Sequence, residues 1–390
     1  MLLKNVSVLY GKNLEYIPSA TLQTSNGLFV KQSGSKGGVD CQGLLLVPGF
    51  VNMHTHIGDS IGKDAALKGS VDSKIHPMLG AKKRILSSSS SEHLANFMKS
   101  TCYSMLKKGI TTFVDFREGG LEGIMLLRKV LEEVPIRGVI LGRVEYYQDK
   151  NQIRKNIPLP TERRKELESI LKHCDGIGIS GPNENSDSVL RTYSRTKKIR
   201  AIHSAETQES STVSKEVTKR SETARALLAR PHFLVHMTYA SGSDLNAAAK
   251  KTRGIVVCPR ANASLAEGIP DFVSMQKSGC TVAIGTDNVM INSPDMFREM
   301  DYTWKVHMGL HKKRLDPKQI LKMATVNGGV LLRRKIGSIE PGYVADGILF
   351  DKHALDFEPM LNPHAAIVHR ASESTIRAVM VGGKIVHGKI

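Results

Sequence analysis

The sequence predicts an α/β protein: a (β/α)8 TIM-like barrel with a small β-sandwich built from both chain termini. Three observations predict it. Eight short apolar runs follow one another between residues 44 and 287, separated by longer helical or polar segments. That is the rhythm of strand–helix units around a parallel sheet. Both chain ends are instead rich in short strands. Metal-binding residue types recur where the apolar runs stop, and in a barrel those positions converge on one mouth.

Residues 1 to about 42 open with the alternating run Asn5-Val6-Ser7-Val8-Leu9-Tyr10, followed by Gly27-Leu28-Phe29-Val30 behind an Asn-Gly turn signal. The first barrel run is Leu44 to Met53, leading to His54 and His56. The second, Thr111 to Phe116, follows a helix carrying Met105 to Gly109. The third is Gly138 to Gly142, after a helix Ile124 to Glu133. The remaining five are Gly176 to Ile179, Ile199 to His203, Phe233 to His236, Gly254 to Cys258 and Thr281 to Asp287. No G-x-G-x-x-G turn follows the first run, which weakens a dinucleotide-binding sheet as the alternative. After helices at 317–325 and 328–334 the tail returns to strands at Ala345 to Phe350, Ile376 to Val381 and Lys384 to His387, the last two joined by a Gly382-Gly383 turn. The expected domains are therefore a sandwich of residues 1–48 and 336–390 and a barrel of residues 49–335. The long insertion after His56, with its Ser87 to Ser91 run, is expected to include a loop over the barrel mouth.

Composition bounds the class. The chain has 390 residues, 41% hydrophobic and 24% charged, ordinary for a globular protein. No apolar run approaches the roughly 18 residues that span a bilayer, and polar residues interrupt the start too early for a signal peptide. A cytoplasmic protein without a membrane partner is expected. Five scattered cysteines form no C-x-x-C pair, which argues against a disulfide framework or thiolate zinc site. The net charge of +18 invites a nucleic-acid reading. Its clusters are spread along helical segments, however, and lack the aromatic interleaving of single-strand binders. A small-molecule substrate is the expected partner, and a homodimer the expected assembly.

The strand ends carry the chemistry. His54 and His56 are two residues apart, so along a strand both imidazoles reach one point in space. His203 ends the fifth run, His236 the sixth and Asp287 the eighth. His54, His56, His203 and Asp287 make a mixed N/O set for one divalent metal ion, Zn²⁺ first and Fe²⁺ as the alternative, with a position left for water. Such an ion lowers the pKa of its water toward about 7. The proton must then move, and Glu206 and His236 are placed to move it. The plainer readings are a helix N-cap or first-turn carboxylate for Glu206, and a fifth ligand or hydrogen-bonded core residue for His236.

Val47-Pro48-Gly49-Phe50-Val51-Asn52-Met53-His54-Thr55-His56, Ile202-His203-Ser204-Ala205-Glu206, Val235-His236, Ile284-Gly285-Thr286-Asp287 and Gly337 to Asp346 together resemble the amidohydrolase superfamily over nearly the whole chain. The resemblance is greatest to the branch of cytosine deaminase, guanine deaminase, S-adenosylhomocysteine deaminase and triazine hydrolases. It implies a mononuclear aminohydrolase acting on a C–N bond of a nitrogen heterocycle or amidine, with metal-activated water as nucleophile. Asp287 would take the proton of the attacking water, His236 would polarise the tetrahedral centre, and Glu206 would carry the proton to a ring nitrogen and then to ammonia. The two-metal cyclic amidases of the superfamily are the rival. They carry a lysine at the end of strand four, where this chain has Ile179-Ser180-Gly181-Pro182-Asn183. Glu145, just past strand three, is an alternative bridging ligand. A non-catalytic barrel that binds an anionic polymer is the third reading. Arg117 and Glu118, Asn183, Arg260 and Asn262, and Asn288 are the candidates near the mouth for substrate contact, Arg117, Asn183, Arg260 and Asn262 foremost. The segment Ile57 to Asp64 departs from the better-known deaminases.

Overall fold

The computed structural model describes residues 1–33, 37–65 and 80–390. Two sheets organise them. Strands from both termini form one mixed sheet: β1 (Leu2–Tyr10), β2 (Glu15–Ser25), β3 (Leu28–Val30), β4 (Val39–Asp40) and β5 (Leu44–Pro48) from the start of the chain. At the far end of the chain lie Gly347–Asp351, Ile376–Val381 and Lys384–Gly388. β5 is the join between the two ends: it runs parallel to β1 and antiparallel to Gly347–Asp351, pairing Leu46 with Leu349. The Gly382-Gly383 turn closes the last hairpin, both glycines at positive φ, the backbone region that a tight hairpin requires.

One residue after β5 the chain enters the second sheet. Its parallel strands are β6 (Phe50–His56), β7 (Ile110–Arg117), β8 (Arg137–Gly142), β9 (Gly176–Ile179), β10 (Ile199–Ser204), β11 (Phe233–His236), β12 (Gly254–Val257), β13 (Val282–Ile284) and β14 (Asp287–Asn288). Order in space follows order in sequence except that β14 pairs with β6. β13 and β14 are two halves of the eighth apolar run: the first pairs with β12 and the second with β6. The sheet therefore curls until its ends meet at residues 282–288. Asn52 and Thr286 lock this seam reciprocally, the Asn52 amide donating to Thr286 Oγ1 at 2.7 Å and accepting from the Thr286 N–H at 3.1 Å.

Alternation along the strands sorts the core. Val51 and Met53, Val114 and Phe116, Val139 and Leu141, Phe233 and Val235 share one buried cluster inside the curled sheet. Their neighbours of opposite parity, including Phe113, Ile140, Ile202, Leu234 and Ile255, pack outward into the cluster that also holds helix residues such as Leu106, Ile124 and Ile320. His54 and His56 have the parity opposite to Val51 and Met53. The β6–β7 pairing shifts register between Asn52 and Thr55, and a one-residue shift exchanges the faces of a strand. Both histidines are thereby turned toward the mouth. Gly285 permits the close passage of β6 here, since a Cβ at that position would lie 2.5 Å from His54 Cβ.

All five cysteines are buried and free. Among the described residues no helix is long and apolar enough to cross a membrane.

Candidate active site

A cavity of about 430 Å³ opens at the C-terminal ends of the parallel strands, and His56, His203, His236 and Asp287 line its floor. Donor atoms of His54, His56 and Asp287 lie within 4.8 Å of one another, as do those of His54, His203 and His236, and those of Glu206, His236 and Asp287. The structure thus brings together all six residues that the strand ends and the Ile202 to Glu206 segment pointed to. Three of the residues here sit at positive φ: Ala205 at 50°, His236 at 71° and Asp287 at 62°. Such backbone strain in non-glycine residues clusters at functional sites.

Hydrogen bonds fix which nitrogen of each ring faces inward. His203 Nδ1 contacts the Ile179 carbonyl at 3.0 Å, and His56 Nδ1 contacts the Phe116 carbonyl at 3.2 Å and Glu118 Oε1 at 2.7 Å. Each Nδ1 therefore carries the proton, and each Nε2 presents a lone pair. His203 Nε2 lies 3.2 Å from His54 Nε2, while Asp287 Oδ1 lies 3.1 Å from His54 Nε2 and 3.5 Å from His56 Nε2. Two inward lone pairs beside a carboxylate repel one another unless a cation lies among them, so the donor set fits a divalent ion. His54 is the exception in one respect: its Nδ1 is buried without a hydrogen-bond partner among the described residues. Burial holds the His56 imidazole neutral, down to about 3, and pushes His54 and His203 below their ordinary value as well. Neutral imidazole is the ligating form. Phe116 backs the cluster with ring centroids 4.4 Å from His54 and 5.0 Å from His203.

His236 and Glu206 form the side of the floor. His236 Nε2 is 3.5 Å from Glu206 Oε2, and its Nδ1 meets Asn262 Oδ1 at 3.2 Å. Asn262 in turn donates its amide to Thr238 Oγ1 at 3.2 Å, which orients its oxygen toward the ring. The helix that follows Glu206 is capped by Thr207, whose side chain accepts from the Ser210 N–H, so Glu206 is not the cap. Burial pushes its carboxyl up to about 7.

The four side chains expected at a substrate divide. Asn183 lines the cavity and donates to the Ser210 carbonyl at 2.8 Å. Arg117 also lines it, pressed against Gly58, where a Cβ would meet its Nη2 at 1.9 Å. Arg260 instead faces Glu299, with its Nη1 3.5 Å from Glu299 Oε2 and its N–H donating to Oε1 at 3.0 Å. Asn262 serves His236. Glu299 was not anticipated: it is buried inside the helix Met296–His311, and an unpaired buried carboxylate draws in the nearest cation. Glu145 accepts from the Gly119 N–H and the Tyr147 hydroxyl and belongs to none of the histidine groups. Asn288 donates to Asp59 Oδ2 at 2.7 Å. The divergent segment after His56 is a buried turn, Ile57–Gly62, rather than an open loop.

A wall of paired charges was also not foreseen. Lys82, from the helix Ala81–Ser88, reaches Glu118 Oε1 at 2.6 Å and Asp59 Oδ2 at 3.3 Å, and Arg143 Nη2 lies 3.6 Å from the same Glu118 oxygen. Burial alone would raise the Glu118 carboxyl, but Lys82, His56 and Arg143 hold it well below the usual range. Ser87, Ser89 and Ser91 line the cavity beside this wall. Residues 66–79 of the same insertion lie outside the described residues.

Fold and site define a barrel with a histidine–carboxylate cluster suited to a metal ion, and comparison with known proteins adds the family. The amidohydrolase family model matches residues 45–386. A protein of Methanothermobacter thermautotrophicus bearing an aminohydrolase name is 37% identical over 352 residues, covering 89% of this chain and 88% of its own. The chain belongs to the amidohydrolase family. A 5-methylthioadenosine/S-adenosylhomocysteine deaminase of Thermococcus sibiricus is 27% identical over 419 residues, covering 99% and 93%. An adenosine deaminase of Xanthomonas campestris, solved with bound zinc, shares the fold at a TM-score of 0.83 and 19% identity, covering 98% of this chain and 92% of that one.

Proposed function

We propose that this protein is a mononuclear metal-dependent deaminase that hydrolyses an exocyclic C–N bond of an aminated nitrogen heterocycle, with adenine nucleosides the first class to test. The observation that carries this reading is the meeting of the Glu206, His236 and Asp287 polar atoms within 4.8 Å of one another beside the histidine cluster. Relatives named as deaminases of 5-methylthioadenosine and S-adenosylhomocysteine support the choice of substrate.

His54, His56, His203 and Asp287 would hold one divalent ion, zinc by the nature of the donors. Bound there, it supplies Lewis-acid activation of a water molecule. The remaining chemistry belongs to the chain. Asp287, kept ionised by the surrounding histidines against the effect of burial, accepts the proton of the attacking water. Glu206, whose carboxyl is raised to about 7, exchanges a proton near neutral pH, the condition for an efficient acid–base group. It carries one proton of the activated water to the ring nitrogen, and the other, held on Asp287, passes to the departing amino group, which leaves as ammonia. His236, fixed by Asn262, directs its Nε2 toward the carbon under attack. In this reading residues 49–335 form the catalytic unit, and residues 1–48 and 336–390, whose strands share one mixed sheet rather than two stacked ones, form the terminal domain.

The test is ammonia release by the zinc-loaded protein from adenosine derivatives, purines, pyrimidines, pterins and creatinine-like rings. Release from one of these, lost in Glu206→Gln with zinc still bound, is the expected result. Silence across the set, with turnover of a cyclic amide, would overturn the deaminase reading.

A further inference from the structure

A second group of metal-ligating side chains lies outside the cavity lining. His307 and His311 are four residues apart on the helix Met296–His311, and that spacing stacks two side chains on one helical face. Their ring centroids are 4.3 Å apart. Asp271, at the start of the helix Phe272–Lys277, approaches the same face, and the ligating atoms of Asp271, His307 and His311 all lie within 4.8 Å of one another.

The surroundings hold two of the three in place. Asp271 Oδ1 accepts from the Ser274 N–H at 3.1 Å and Oδ2 from the Ser274 hydroxyl at 2.6 Å. A carboxylate has about four lone-pair sites, so these bonds fix its orientation and leave it able to ligate. Phe272 packs on His307 with ring centroids 4.5 Å apart, and His307 is only 5% exposed. His311 is exposed. A buried ligand, an oriented carboxylate and an exposed ligand give an ion both a fixed seat and a path from solvent.

We propose that Asp271, His307 and His311 form a second metal site, for a first-row divalent transition ion such as Zn²⁺. Two imidazoles and one carboxylate are the donors such ions prefer over Mg²⁺ or Ca²⁺. The position gives the site a structural use. Asp271 lies ahead of β13, and the helix bearing both histidines follows β14, so the ion would tie together the two segments that flank the seam carrying Asp287.

Zinc counted per chain, after titration with Zn²⁺ and desalting, tests the site. The expected result is two equivalents for the wild type and one for His311→Ala, with ammonia release retained. His54→Ala/His56→Ala should lose the other equivalent, and in that background added Zn²⁺ should still raise Tm until His311→Ala is introduced. Asp271→Asn, which keeps the cap geometry, should bind the second equivalent more weakly. The same zinc count in His311→Ala and wild type overturns the second site. A failure at the cavity floor appears instead as an unchanged count in His54→Ala/His56→Ala, so the two sites are judged separately.

Discussion

The two sides of the cavity treat buried carboxylates in opposite ways. On one side Glu118 is surrounded by Lys82, Arg143, Arg117 and His56 and stays ionised. On the other, burial raises Glu206 to about 7 and Glu222 to about 8; Glu206 faces His236, and Glu222 accepts from the Ser210 hydroxyl at 2.7 Å. Burial disfavours charge in both places. What differs is the company: cations on one side, Lys82 and Arg143 brought by distant segments beside the neighbouring Arg117, and hydroxyl and imidazole groups on the other. The paired side serves rigidity, since Glu118 orients His56 and anchors Lys82. The other side keeps protons available close to neutral pH, where a proton carrier has to work.

Substitutions can test this division. Glu206→Gln should have the largest effect on turnover, a loss of about 10²–10⁴-fold, the usual contribution of an acid–base group, with zinc content unchanged by metal analysis. Comparable turnover in this variant would remove Glu206 from the proton path. Glu118→Gln should instead act on structure. It removes the carboxylate that Lys82 and Arg143 share, leaving Lys82 with Asp59 alone, and breaking a buried pair costs about 3–5 kcal/mol. Urea unfolding should show this, and zinc affinity should fall by about 10–100-fold as His56 loses its orienting partner. If Glu118→Gln lowers only kcat, the wall is part of the chemistry and the division fails. Gly285→Ala should cost about 1–3 kcal/mol by overpacking against His54, read as a lower urea midpoint together with weaker zinc binding.

A further test concerns pH. The Glu222 carboxyl is raised from 4.5 to about 8 in the folded protein, chiefly by burial. Between those values the native state holds the proton that the unfolded chain releases. The contribution of Glu222 to stability is therefore complete below pH 4.5 and is lost as pH rises through 8. Glu222→Gln should gain stability relative to the wild type between pH 5 and pH 8. Parallel stability curves for the two proteins would show that Glu222 is ionised in the fold.

The eight parallel segments were legible because their apolar runs are short, regularly spaced and bounded by polar residues. The cavity floor was legible for a related reason. Histidine and aspartate at strand ends stand out against apolar runs, and a two-residue period is local information. Glu206 was visible through its position after His203. The first apolar run was less legible: Leu44 to Met53 reads as one barrel strand, while the fold divides it between the terminal sheet, Leu44–Pro48, and the parallel sheet, Phe50–His56.

Other features depended on the partner that each residue meets. Arg260 and Asn262 follow the seventh strand as a substrate contact would, but Glu299 lies 39 residues beyond Arg260 in sequence and captures it, and His236 takes Asn262. Lys82 belongs to one of the basic clusters spread along helical segments, yet it is buried against Asp59 and Glu118. The seam was equally hidden: residues 281–287 read as one strand, while the fold divides them between β12 and β6. By itself, then, the sequence determined the barrel rhythm and pointed to the six residues of the site, because strand ends are marked by local pattern and Glu206 follows His203 by three residues. The tertiary structure decided the register shift that turns His54 and His56 to the mouth, the proton on each ring, and the charge of each buried carboxylate. Those depend on desolvation and on groups brought near from distant segments, which no local pattern encodes.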